Sequence, residues 1–152
     1  MASKLYPFLS AILANILAQA LKPVFHYIKT GKVELKLFFE SGGFPSSHTS
    51  MVVALTLALG LQTNFYSEYF FIAFIFSLTV IYDAANVRYY AGQNIKVTKQ
   101  LIQDIEKLTQ TKLDNPVYRQ RIKDVLGHQW IEVLGGIAIG LLTALILFWI
   151  VK

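Results

Sequence analysis

Residues 131–151 read Ile-Glu-Val-Leu-Gly-Gly-Ile-Ala-Ile-Gly-Leu-Leu-Thr-Ala-Leu-Ile-Leu-Phe-Trp-Ile-Val, and this stretch decides the fold class. Its 21 residues carry one charge, Glu132, close to the start. As a helix they reach the roughly 20 residues needed to cross a bilayer's hydrocarbon core. In lipid every backbone N–H and C=O must be satisfied within the segment, so such a run is read as a transmembrane helix.

Three further apolar stretches lie upstream. Leu5 to Leu21 is broken only by Ser10, Asn15 and Gln19. Met51 to Leu61 is short, but a helix begun at Ser46 or Ser47 extends it to about 16 residues, enough for a thin span. Tyr69 to Tyr82 is the third, extendable from near Asn64. The whole chain agrees: 55% of its 152 residues are hydrophobic and 15% charged, and mean hydropathy is +0.48. That balance excludes a disordered chain and an ordinary soluble domain. The absence of cysteine excludes disulfide scaffolds, thiolate metal sites and cysteine nucleophiles. No internal repeat, low-complexity tract or cleavable signal pattern is evident. The expectation is one all-α domain over residues 1–152, an integral-membrane bundle of about four transmembrane helices.

Charge orients the bundle. Lys22 to Gly43 and Asp83 to His128 together hold twelve of the fourteen Lys and Arg residues, whereas Gln62 to Glu68 holds none. The positive-inside rule puts the two basic connections in the cytoplasm and both termini outside. The net charge of +5 is then read as contact with an anionic membrane, and no nucleic-acid partner is expected. In the longer connection Ile95, Val97, Leu101, Ile102, Ile105 and Leu108 recur at helical spacing, with Lys96, Lys99, Gln103, Asp104, Glu106 and Lys107 opposite. This predicts a cytoplasmic amphipathic helix, ended by Asn115-Pro116 and either lying on the inner leaflet or capping the bundle.

Ionisable groups beside apolar spans are functional candidates, because burying them costs several kcal/mol unless they are paired. Here they collect at one membrane face: Lys22, His48, Asp83, Arg88, His128 and Glu132. In Ser41-Gly42-Gly43-Phe44-Pro45-Ser46-Ser47-His48, Gly42 and Gly43 allow close backbone approach and Pro45 suits a first helical turn. Ser46 and Ser47 cap a helix whose N-terminus can hold an anion. The same run also reads as a glycine turn and a serine cap. His128 and Glu132, four apart, share a helix face, so the carboxylate can hold one imidazole nitrogen and leave the other available. A polar helix start at the interface gives the same pair. For a metal site no third ligand of suitable type is evident, and His26 is the one spare histidine. Asp83 can neutralise Arg88. Taken together, two cations, a helix N-terminus and two histidines are the parts needed to bind, attack and release a phosphoryl group.

Phe44-Pro45-Ser46-Ser47-His48, Tyr82-Asp83-Ala84-Ala85-Asn86-Val87-Arg88 with Ala91-Gly92, and Leu126-Gly127-His128 with Glu132-Val133 resemble a family of small bacterial and plant proteins. These are divergent relatives of acid phosphatases and vanadium-dependent haloperoxidases, a distant branch of the type-2 phosphatidic acid phosphatase superfamily. The resemblance implies Lys22 as the first-motif lysine, and Ser46 with the backbone of Ser47 as phosphate donors, with Gly43 in support. It implies His48 as the acid for the leaving group, His128 as the nucleophile and Glu132 in place of the orienting aspartate. Ser47 replaces the family's glycine, and Lys29 stands seven residues after Lys22 where Arg-Pro is usual. The third-motif arginine falls at Ile122, which leaves Arg88, or more weakly Arg121, as substitute, with Asp83 beside it.

The expectation is a metal-independent, cofactor-free lipid phosphatase acting on a membrane phospholipid through a phosphohistidine. Its preferred substrate is phosphatidylglycerophosphate, its inhibitor vanadate. The competing expectations are an isoprenoid diphosphate phosphatase and a non-enzymatic lipid- or anion-binding scaffold. Gly136 and Gly140 can pack helices within one chain or between two, which leaves room for a homodimer.

Overall fold

A computed structural model of the chain describes residues 2–40, 42–115, 117–118 and 128–151. The described residues form five α-helices: α1 (Ala2–Thr30), α2 (Ser47–Gln62), α3 (Glu68–Tyr82), α4 (Arg88–Thr109) and α5 (Trp130–Val151). A 3₁₀ turn, Leu35–Phe39, precedes α2, and a π-helical segment, Asp83–Val87, joins α3 to α4. Among the described residues three helical runs are long and apolar enough to cross a membrane: Lys4–Thr30, Glu68–Thr109 and Trp130–Val151. The all-α membrane bundle is thus as expected.

Helix α2, with 16 residues and about 24 Å of length, is the centre of the bundle, packed against α1, α3 and α5. Small residues make this possible. Ser47, Ser50, Ala54, Ala58 and Gly60 are buried on α2, Ala14 and Ala18 on α1, and Ala144 on α5. Gly136 and Gly140 complete the interface from α5. A Cβ at Gly136 would sit 2.5 Å from the Ser46 carbonyl oxygen, and one at Gly140 2.6 Å from that of Ser50. Both glycines therefore serve contact within one chain. Between α2 and α3 the glue is polar: the Thr56 and Ser77 hydroxyls lie 2.6 Å apart.

Hydrogen bonds fix the helix directions. Tyr6 donates its hydroxyl to the Ala144 carbonyl at 2.8 Å, which sets the start of α1 beside the later half of α5. At the opposite end Ser46 N–H donates to the Glu132 carbonyl at 2.9 Å, and His128 N–H to the Ala84 carbonyl at 2.9 Å. One end of the bundle thus gathers the end of α1, the starts of α2 and α5, and the end of α3.

Several boundaries differ from the sequence reading. Helix α1 continues past Leu21 to Thr30, through Lys22, Pro23 and Lys29, and stops at Gly31, whose φ of +69° suits a helix C-cap. Helix α2 starts at Ser47 as expected, but Pro45 precedes the Ser46 N-cap instead of occupying the first turn. Helix α4 ends at Thr109, with Gln110 in the left-handed region, well before Asn115. It is also continuous with α3 through the π segment, where a connection was expected. The alternative in which α4 caps the bundle is not realised among the described residues. Its packing is against the π segment, with no substantial contact to α1, α2 or α5.

Candidate active site

Glu132 organises this end of the molecule. Its Oε2 lies 2.9 Å from His128 Nδ1 and accepts the Gln129 N–H at 3.1 Å. His128 is not on the helix, as its spacing suggested; it sits two residues before α5 begins. The carboxylate reaches back over the first turn, the second half of a capping box, and in doing so grips the imidazole. An ionised carboxylate only accepts hydrogen bonds, so this contact favours, for a neutral imidazole, the tautomer with the proton on Nδ1 and the lone pair on Nε2. His128 is 4% exposed, which restricts water around that nitrogen.

Lys22 is 3% exposed and donates from Nζ to the Glu40 carbonyl at 2.8 Å. A buried ammonium carries three donors and is costly unless they and the charge are answered. Lys22 lines a cavity of about 190 Å³ with His26, Lys29, Gly42, Gly43 and Glu132, walled by Phe25, Leu37 and Phe44. Gly42 and Gly43 have φ of +108° and +81°, conformations that favour glycine. His26 and Lys29, four and seven residues after Lys22, share its helix face. Neither was singled out as a site residue, although the spacing carried the signal.

His128 lines a second cavity of about 170 Å³ with Ala85, Asn86, Tyr89, Tyr90, Gln129 and Trp130. Sequence reading assigned no role to these neighbours, because they come from the π segment, the first turn of α4 and the start of α5. Lys22 and His128 thus face different cavities, bridged by Glu132. His48 stands at the first turn of α2, half-buried, and is close enough to His128, Arg88 and Lys22 to interact electrostatically with all three. The two histidines and two cations named from the sequence therefore stand at one end of the bundle, without sharing one cavity.

Other residues hold structural partners. Ser46 Oγ accepts the Thr49 N–H at 3.3 Å and donates to Thr49 Oγ1 at 2.9 Å, so the Ser46 hydroxyl is spent on the cap. With the Ser46 and Thr49 amides engaged, the Ser47 and His48 N–H groups are the donors of this helix start left without a partner among the described residues. The Ser47 hydroxyl is buried and has no partner among the described residues. Arg88 Nε lies 2.6 Å from Asp83 Oδ2, so the neutralising pair is formed, with both side chains partly exposed. Arg121, like Ile122, lies outside the described residues. Among the described residues no group of three His, Asp or Glu side chains is arranged to hold a metal ion.

Over residues 4–143 the sequence matches the model of the divergent PAP2 family. The chain belongs to that family. It is 33% identical over 147 residues, 93% of each chain, to YuiD, an uncharacterised membrane protein of Bacillus subtilis (strain 168). No solved structure matches it.

Proposed function

We propose that the protein is a metal-independent lipid phosphatase, hydrolysing a phosphomonoester at the cytoplasmic face with phosphatidylglycerophosphate as preferred substrate. The observation that carries this reading is the buried His128 imidazole, held through Nδ1 by the Glu132 carboxylate. Membership of a phosphatase-related family supports it. In the reaction Nε2 attacks phosphorus, the P–O bond to the lipid alcohol breaks, and His48 supplies the proton that the departing oxygen takes. Water then attacks the phosphohistidine, giving its proton back to His48, and phosphate leaves with His128 restored. Lys22, Arg88 and the amides of Ser47 and His48 supply the positive potential at the transferring group. Glu132 keeps the nucleophile in one tautomer and stabilises the positive charge it acquires.

The cytoplasmic assignment rests on the two basic connections, with α2 crossing as the fourth span. Phosphatidylglycerophosphate is preferred because it is made on that leaflet. The test is phosphate release from this lipid by purified protein in detergent with chelator present, wild type against His128→Ala. Release by wild type alone, inhibited by vanadate, is expected. Loss of activity on chelation overturns the mechanism.

One observation favours a second reading, an anion- or lipid-binding membrane protein without turnover: Asp83 occupies Arg88. Unchanged function in both His48→Ala and His128→Ala would select that reading.

A further inference from the structure

Helix α1 brings Lys22, His26 and Lys29 to one face, at steps of four and three residues, and all three line the cavity of about 190 Å³. Lys22 is buried, and one of its three N–H donors is accounted for by the bond to the Glu40 carbonyl. Gly42 and Gly43 line the same cavity from the loop before α2, and their backbone N–H groups have no partner among the described residues. A Cβ placed on Gly43 would meet nothing within 4 Å, so space is open beside that backbone.

Such a set of cations and spare donors suits an anion with several oxygens. The nearby carboxylates are already engaged. Glu132 Oε2 faces His128 and takes the Gln129 N–H, and Glu34, 3.9 Å from His26, is held by Lys36 at 3.1 Å. A planar carboxylate offers two oxygens to these donors, whereas a phosphate monoester offers three. We propose that the Lys22, His26 and Lys29 cavity binds a phosphate monoester of its own, apart from the phosphoryl group at His128.

Two features of the cavity select an ester over the free ion. Phe25, Leu37 and Phe44 give it an apolar wall, with the Phe25 and Phe44 rings edge to face at 4.7 Å, and inorganic phosphate has no carbon to set against such a wall. Roughly 10–15 Å³ admits one water, so the cavity has room for the phosphate and the first carbons of its alcohol. His128 lines the other cavity, which makes this a second place for a phosphate. Lys22 also acts on His48 through its charge and so serves both. The inference stands whether or not the protein turns over a substrate.

The chain has three histidines, so the variant His48→Ala/His128→Ala leaves His26 alone, and its imidazole NMR signals report on this cavity with both histidines of the reaction removed. Dihexanoylphosphatidic acid, inorganic phosphate and dihexanoylglycerol are titrated in turn into this variant, in neutral detergent at constant pH. A saturable shift of the His26 signals is expected with the lipid phosphate, half-complete at a concentration on the order of tenfold below that for inorganic phosphate, and none with dihexanoylglycerol. Adding Lys29→Gln should weaken the lipid phosphate on the order of tenfold. If the double variant does not fold, the signal lost in His26→Gln identifies His26 in the otherwise unchanged protein, which is then titrated with a non-hydrolysable phosphonate in place of the ester. Failure of wild type to release phosphate leaves these outcomes as they are. Equal or tighter binding of inorganic phosphate overturns the ester assignment; no saturable shift with either phosphate, the same shift with dihexanoylglycerol, or binding unchanged by Lys29→Gln overturns the site.

Discussion

Replacing Gly136 by alanine tests whether the α2–α5 contact holds the site end together. The new Cβ would lie 2.5 Å from the Ser46 carbonyl oxygen and 2.9 Å from Thr49 Cβ. Neither atom can swing aside: one is backbone in the N-cap, and the other is the branch point of a buried threonine. Relief therefore requires α5 to move outward by several tenths of an ångström, and overpacking of this kind costs about 1–3 kcal/mol. That corresponds to roughly a 5- to 150-fold loss in the ratio of folded to unfolded protein. Gly135→Ala is the matched comparison. Its Cβ would meet the Phe44 ring tip at 2.5 Å, and a ring tip can rotate away, so a cost below about 1 kcal/mol is expected. The assay is reversible unfolding in mixed micelles titrated with sodium dodecyl sulfate, both variants against wild type. Equal stability of Gly136→Ala and wild type, or a larger loss in Gly135→Ala, would refute the close-contact reasoning.

Two further outcomes address the site. Glu132→Gln keeps the shape and the acceptor for the Gln129 N–H but removes the charge that faces His128; a charge-assisted bond of about 1.5–3 kcal/mol predicts a drop of roughly 10- to 100-fold in phosphate release, with unfolding shifted much less. Retention of full turnover would remove Glu132 from the mechanism. Asp83→Asn releases Arg88 from a partly exposed pair worth at most about 1 kcal/mol, so stability should barely change while vanadate binds more tightly; weaker vanadate binding would show that Asp83 orients Arg88 and does not compete for it.

What the sequence made legible follows its periodicity and its local chemistry. The apolar run of α5 and the serine that caps α2 could be read directly, because each depends on residues within one or two turns. The His128–Glu132 contact was also legible from spacing, although for the wrong local reason, since the histidine precedes the helix and the glutamate reaches back to it. The length of α3–α4 was not legible: Asp83, Asn86 and Arg88 look like a polar link, yet a helix leaving the membrane tolerates them. The Lys22 bond to the Glu40 carbonyl was hidden for another reason, being set by how the 3₁₀ turn folds onto α1. Arg88 was legible as a cation, and its pairing with Asp83 was one of two open readings until the π segment fixed their geometry.

That π segment also sets a rotational phase. Each residue of a helix turns the chain by about 100°, so the five residues Asp83–Val87 act as a gear between the span and the helix beyond it. Deleting one of them would leave α3 in the bundle while swinging Leu101 and Leu108 a quarter-turn or more about the α4 axis. It would also shift the Ala84 carbonyl that receives the His128 N–H. The register of one short stretch thus aims two things at once, the apolar stripe of α4 and the backbone of the histidine.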